Sequence, residues 1–113
     1  MITKKKINIP IFDFKLTIAI FDYWDEVKDW FDQGPEPRAI TKHNGFGGAL
    51  VAVNSKRGSS IVHEAVHIKN AIWEWIGYRP MADNDEVDAY VVTYIYNKIV
   101  DVFYKHNDEK STK

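Results

Sequence analysis

Two kinds of apolar pattern follow one another along this chain of 113 residues, and their order limits the fold. The first half contains short runs rich in β-branched and aromatic residues. The second half contains two long stretches in which apolar residues recur at helical spacing. Strands followed by separate helices are typical of an α+β domain. The length suits one core, so we predict a single domain over residues 1–113.

Three strands are predicted in the first half, each bounded by turn-forming residues. The predicted strands are Lys15–Phe21, Arg38–His43 and Gly47–Asn54. Ile7–Phe14 is read as an extension of the first strand that is broken at Pro10. The other two form a hairpin, because Asn44 and Gly45 readily adopt the positive φ of a tight turn. We therefore expect a small sheet of three to four strands.

Helical spacing and end signals predict three helices. The predicted helices are Tyr23–Asp32, a long helix from Ser59 or Ser60 to about Ile76, and a last helix from Asn84 or Asp85 to about Tyr104. Asp22 is the expected N-cap of the first helix. Gly77 suits a left-handed C-cap for the second, and Pro80 prevents its continuation. The polar residues 105–113 are expected to form a frayed tail.

Composition and charge exclude several functional classes. Lysine and arginine number 15 against 16 acidic residues, so the net charge of −1 gives no reason to expect a nucleic-acid partner. Without cysteine, the chain has no disulfide, thiolate nucleophile or iron–sulfur site, and any metal must use His, Asp or Glu. Polar residues interrupt the apolar run after Lys4–Lys6, so we predict neither a signal peptide nor a membrane segment and expect a cytoplasmic protein.

The sequence His63-Glu64-Ala65-Val66-His67 lies in the middle of the long predicted helix. Residues four apart on a helix lie on the same face, so His63 and His67 can direct both imidazoles at one metal ion, for which Zn²⁺ is well suited. Glu64 is rotated by about 100° from His63, which places it beside the metal as a general base and not as a ligand.

A catalytic zinc site usually has three protein ligands, so a third donor is needed. The best candidate is Glu86, because two helices joined by a short turn can pack antiparallel and carry the start of the last helix past the histidines. Asp85 and Asp88 are the nearest alternatives. His43 and His106, the other histidines of the chain, are also possible third ligands.

This arrangement resembles the gluzincin class of zinc metallopeptidases, in which a glutamate on the next helix follows the HExxH motif. The order of elements from Leu16 to Val102 is similar to that of minigluzincins and small phage-encoded metallopeptidases. The resemblance implies a minimal zincin-like domain, in which the sheet packs on the HExxH helix and the last helix carries the third ligand. It implies that His63, His67 and Glu86 bind zinc and that Glu64 activates the water.

The resemblance also assigns roles around the cleft. The strand that begins at Gly47 would be the edge that pairs with a peptide or protein substrate. The implied substrate-binding residues are Gly47, Gly48, Ala49 and Leu50. Thermolysin-like enzymes have an aspartate four residues after the zinc glutamate, whereas this chain has Tyr90, whose phenol oxygen can also accept an imidazole N–H. Tyr90, Tyr94 and His43 are all candidates for stabilising the oxyanion.

Two functions therefore follow as expectations. The first is a zinc-dependent metallopeptidase that hydrolyses peptide bonds with Glu64 as the general base. The second is a latent or non-catalytic zinc-stabilised module with a zincin fold, in which the metal contributes folding energy. The number of protein ligands on the metal separates these two functions. The sequence indicates neither the substrate specificity nor the oligomeric state.

Overall fold

The computed structural model describes residues 2–31, 36–80 and 86–111, with side chains through residue 109. Within these segments the chain forms an α+β domain with a four-stranded mixed sheet and two α-helices. The strands are β1 (Ile2–Ile9), β2 (Phe14–Phe21), β3 (Ala39–His43) and β4 (Gly48–Asn54), and the helices are α1 (Ile61–Ile76) and α2 (Glu86–Ser111). The spatial order is β1-β2-β4-β3. Only β2 and β4 are parallel.

Strand β1 is a separate element and not an extension of β2. A single 3-10 turn at Pro10–Phe12 and a left-handed Asp13, with φ of 48°, reverse the chain. Strand β1 then runs antiparallel to β2 from Ile2 opposite Phe21 to Ile9 opposite Phe14. The exposed lysines in its middle suit an edge strand, because charged side chains disfavour pairing with another chain.

One face of the sheet carries the main core. The core side chains on this face of β2 and β4 are Leu16, Ile18, Ile20, Val51 and Val53. They pack with Ile61, Ile68 and Ile72 of α1 and with Ile95 and Ile99 of α2. Burial of this apolar surface, at about 25 cal/mol per Å², is the main stabilising contribution of both helices.

The segment after β2 covers one end of the opposite face. It forms two 3-10 turns, Trp24–Glu26 and Lys28–Trp30, so the prediction of an α-helix here is wrong. Val27, between the turns, has a φ of −130°, which breaks a regular helix. This break lets Val27 and Phe31 pack on Phe21 of the sheet. Tertiary packing therefore overrides the helical spacing, and the last predicted helical residue lies outside the described segments.

The predicted hairpin and the long helix are confirmed. Gly45 and Gly47 have positive φ, and Asn44 Oδ1 accepts hydrogen bonds from the backbone N–H groups of Phe46 and Gly48. Helix α1 ends at Gly77, which has a φ of 73° and donates its N–H to the carbonyl of Glu74. The predicted first residues of α2, Asn84 or Asp85, lie outside the described residues.

Residues 105–111 are helical, since α2 continues to Ser111, and the expectation of a frayed tail is wrong for them, while the last two residues lie outside the described segments. The reason is His106, whose side chain is fully buried. Its Nδ1 lies 2.7 Å from Thr3 Oγ1 and its Nε2 lies 2.9 Å from Asp22 Oδ1. Asp22 also accepts a hydrogen bond from Ser55 Oγ at 2.7 Å, so it anchors α2 to the sheet rather than capping a helix. Within residues 2–31, 36–80 and 86–111, neither helix is long and apolar enough to cross a membrane.

Candidate metal centre

The two histidines of the motif lie one turn apart on the exposed side of α1. Their Nε2 atoms are 3.0 Å apart, and the ring centroids are separated by 4.7 Å. Two imidazoles bound at 2.0–2.1 Å to a tetrahedral zinc ion hold their nitrogens about 3.3 Å apart. The His63 and His67 side chains therefore fit two corners of a zinc site with only a small adjustment.

Glu64, the residue after His63, faces the sheet. It is 4% exposed, and its Oε1 accepts a hydrogen bond of 2.7 Å from Thr41 Oγ1 on β3. A carboxylate needs such a partner, because burial of a charge without hydrogen bonds is costly. Thr41 therefore fixes one oxygen of the predicted general base.

A groove of about 470 Å³ runs between α1 and β3, and it contains all three motif residues. Its lining from β3 includes Ala39, Thr41 and His43, which alternate on the strand and so share a face. Its lining from α1 continues past His67 to Asn70 and Glu74. The structure thus brings His43 to the motif, together with Thr41 and Glu74, which the sequence prediction did not include.

The groove is bounded by β3, and the expectation that β4 is the edge strand is wrong. Strand β4 is paired on both sides, with β2 in parallel and with β3 antiparallel. A crossover from β2 to β4 leaves β3 outside, which the order of strands along the chain does not reveal. The substrate-binding roles of Gly47, Gly48, Ala49 and Leu50 therefore have no free strand edge to support them.

The absence of a side chain at Gly47 has a structural role. A Cβ atom built on it would lie 2.8 Å from Cε2 of Trp75, so the glycine is needed for close packing of the α1 indole on the hairpin. This contact joins the end of α1 to the β3–β4 hairpin. It therefore helps to hold the walls of the groove together.

Glu86 and Asp88 lie in the first turn of α2. Glu86 is exposed and does not line the groove. Asp88 accepts a hydrogen bond from Trp73 Nε1, and its Oδ2 lies 3.9 Å from Lys69 Nζ. At about 100° per residue, Lys69 and Trp73 are rotated by about 120° from the two histidines. Helix α2 thus packs on another flank of α1.

The described segments therefore supply two donors of a zinc site and not a third. Among residues 2–31, 36–80 and 86–109, no three His, Asp or Glu side chains are arranged to hold a metal ion. Asp85 lies outside the described residues, and His106 is buried in its contacts with Thr3 and Asp22. Glu86 as the third ligand stays a prediction.

The two tyrosines proposed for the cleft lie elsewhere. Tyr90 and Tyr94 line an apolar pocket of about 310 Å³ together with residues 9–12, and Tyr90 is 72% exposed. His43 is the only one of the three oxyanion candidates that lines the groove. The helical spacing of Tyr90 and Tyr94 does not indicate which flank of α1 is covered by α2.

Comparison with known proteins adds no assignment. No protein-family model, curated protein or solved structure matches the chain. The geometry of the groove between α1 and β3 therefore carries the functional argument.

Proposed function

We propose that this protein is a zinc-dependent metallopeptidase with a zincin-like architecture. One observation carries the proposal: in a single groove, the Nε2 atoms of His63 and His67 are 3.0 Å apart and the next residue, Glu64, is held by a hydrogen bond from the flanking strand. Two imidazoles at this separation suit a zinc ion, and a fixed carboxylate beside them suits a general base.

The chemistry divides between the metal and the protein. A zinc ion held by His63 and His67 would supply a water of lowered pKa and polarise the peptide carbonyl. Glu64 accepts the proton of the attacking water and delivers it to the leaving amine. Thr41 keeps the Glu64 carboxylate facing the groove through its 2.7 Å hydrogen bond. This positioning removes the need to order the base in each turnover.

Strand β3 is the element that suits an extended peptide. In the described part of the chain it pairs with β4 alone, so its other side is an edge. A peptide that adds to such an edge gains main-chain hydrogen bonds, while its side chains alternate into pockets. Because Ala39, Thr41 and His43 face the groove, a strand beside them passes close to Glu64.

A non-catalytic zinc module is the second candidate, and one observation supports it: His43, a further possible ligand, lines the same groove as His63 and His67. The described residues complete only two corners of a site, and one oxygen of Glu64 is already engaged by Thr41. If His43 and a further side chain closed the coordination sphere, the metal would stabilise the fold and leave no position for water.

Zinc content and peptide cleavage should be measured on the same protein preparations. We expect the wild type to bind about one zinc per chain and to cleave a quenched fluorescent peptide library. We expect Glu64→Gln to retain zinc and lose activity by about 10²–10⁴-fold. His63→Ala and His67→Ala remove a ligand and so lose both properties. Asn70→Ala, in the same groove, is the matched control that keeps both.

The outcomes separate the candidates. A zinc-loaded wild type that cleaves nothing, with a metal spectrum of four protein ligands in the cobalt-substituted form, supports the structural module. A chain that binds no zinc overturns both functions. Loss of zinc affinity in Glu86→Gln identifies the third ligand, and the same loss in His43→Ala would assign it to β3 instead.

A further inference from the structure

The face of the sheet opposite α1 and α2 carries a second concave site. The two 3-10 turns after β2 cover only one end of this face, and the remainder of the face forms a pocket of about 440 Å³. Lys6, Lys15 and Lys42 line it, and they come from three different strands. Among the described residues that line this pocket, none is acidic. The pocket shares only His43 with the groove, and its lysines lie on the other face of the sheet, so this inference does not depend on the zinc proposal.

The strand register places the three lysines around one floor. Lys6 is opposite Thr17, Thr17 is opposite Leu50, and Leu50 is opposite Lys42, so these four residues form one row across the sheet. Lys6 and Lys42 are therefore about 14 Å apart at their α-carbons, and Lys15 lies about 7 Å along β2 from the row. Three flexible ammonium groups can thus converge above Thr17 and Leu50.

Asn44 supplies a fourth donor, and its orientation is fixed. Its Oδ1 accepts two backbone hydrogen bonds, from Phe46 at 2.7 Å and Gly48 at 3.1 Å. The Nδ2 atom would lie 2.9 Å from a Cβ on Gly48, and Gly48 is opposite Lys15 in the sheet. The absence of a side chain at Gly48 therefore makes room for the Asn44 amino group over the pocket.

The rest of the lining consists of Thr17, His43 and apolar residues. Leu50 contributes to the floor, and the indole of Trp30 forms a wall. Lys4 Nζ lies 4.8 Å from the centroid of the Trp30 ring, which adds a further positive charge at this wall. The pocket thus combines donors for an anion with apolar surface for an attached organic group.

We propose that this pocket binds a small phosphate ester, whose phosphate lies among Lys6, Lys15, Lys42 and Asn44 and whose organic group packs on Leu50 and Trp30. Ammonium and amide donors suit phosphate oxygens, which accept charge-assisted hydrogen bonds. The pocket volume of about 440 Å³ suits a small ligand, whereas a polymer needs a continuous track.

Adenosine monophosphate is a suitable probe, in a buffer containing EDTA so that no metal contributes. We expect saturable shifts of the amide signals of Gly48, Ala49 and Leu50 and of the Trp30 indole in ¹H–¹⁵N spectra of the full chain. Lys15→Gln and Lys42→Gln each weaken binding by about three- to fivefold, and the double variant weakens it by about tenfold or more. Added salt weakens binding further.

Lys5→Gln is the matched control, since Lys5 is an exposed lysine of β1 that neighbours Lys6 and points to the other face of the sheet. Equal affinity in the Lys15→Gln, Lys42→Gln and wild-type proteins, or no saturable shift at all, overturns the proposal. Inorganic phosphate that binds as tightly as adenosine monophosphate overturns the role of the apolar surface. A thymidine hexanucleotide that binds more than about tenfold tighter overturns the choice of a small ligand.

Discussion

Thr41→Val tests whether the strand holds the predicted general base in place. Valine has nearly the shape of threonine but lacks the hydroxyl that donates to Glu64 Oε1 at 2.7 Å. A hydrogen bond to a charged group contributes about 1.5–3 kcal/mol, and the buried carboxylate has little water to replace it. We therefore expect Thr41→Val to lower the free energy of unfolding by about 1.5–3 kcal/mol. The entropy of unfolding is about 2.1 cal/mol/K per residue, so over the 113 residues this loss lowers Tm by about 6–13 °C.

Urea denaturation followed by circular dichroism measures this loss for Thr41→Val, Glu64→Leu and the double variant, because leucine cannot accept the hydrogen bond. Thr41→Ser keeps the hydroxyl and is the control that we expect to retain most of the stability. The double-mutant cycle isolates the pair, because each single change removes the same hydrogen bond. A loss below about 0.5 kcal/mol in Thr41→Val, or an equal loss when Glu64 is already replaced, would refute the reasoning.

Two further predictions concern stability away from the groove. Burial raises the pKa of the Glu26 carboxyl, but hydrogen bonds, among them those from the backbone N–H groups of Asp22 and Tyr23, outweigh it and hold the pKa below the usual 4.5. The ionised Glu26 carboxylate stabilises the fold above pH 4.5, and this contribution is lost as the pH falls through the lower folded-state pKa. We therefore expect Glu26→Gln to reduce the difference in the free energy of unfolding between pH 7 and pH 3, measured by urea titration. His106→Ala removes a buried ring with two hydrogen bonds and costs about 2–5 kcal/mol by chemical denaturation, whereas Asn107→Ala, which removes one bond of 3.3 Å, costs less than about 1 kcal/mol.

The sequence predicted the elements that depend on contacts between residues close together in the chain. The β3–β4 hairpin follows from Asn44 and Gly45, and the end of α1 follows from Gly77. The pairing of His63 with His67 follows from the helical repeat alone. These features depend on contacts within a few residues, which a single sequence specifies.

Long-range packing decided the features that the sequence did not predict. Strand β1 has three consecutive lysines and becomes a strand through its pairing with β2. The flank of α1 that α2 covers depends on the contact between Trp73 and Asp88, which no local pattern indicates, and Glu86 as the third ligand stays a prediction. His106 has no local signal, because its partners Thr3 and Asp22 lie 103 and 84 residues away.

The hydrogen bond between Thr3 and His106 has a consequence for how the protein forms during synthesis. It joins positions separated by 103 residues, so the sheet cannot reach its final packing until the last turns of α2 have left the ribosome. Contacts between such distant positions also slow folding, because a long loop must close before they form. We expect nascent chains truncated before His106 to remain protease-sensitive, and chains to become resistant once the segment through Ser111 has left the ribosome.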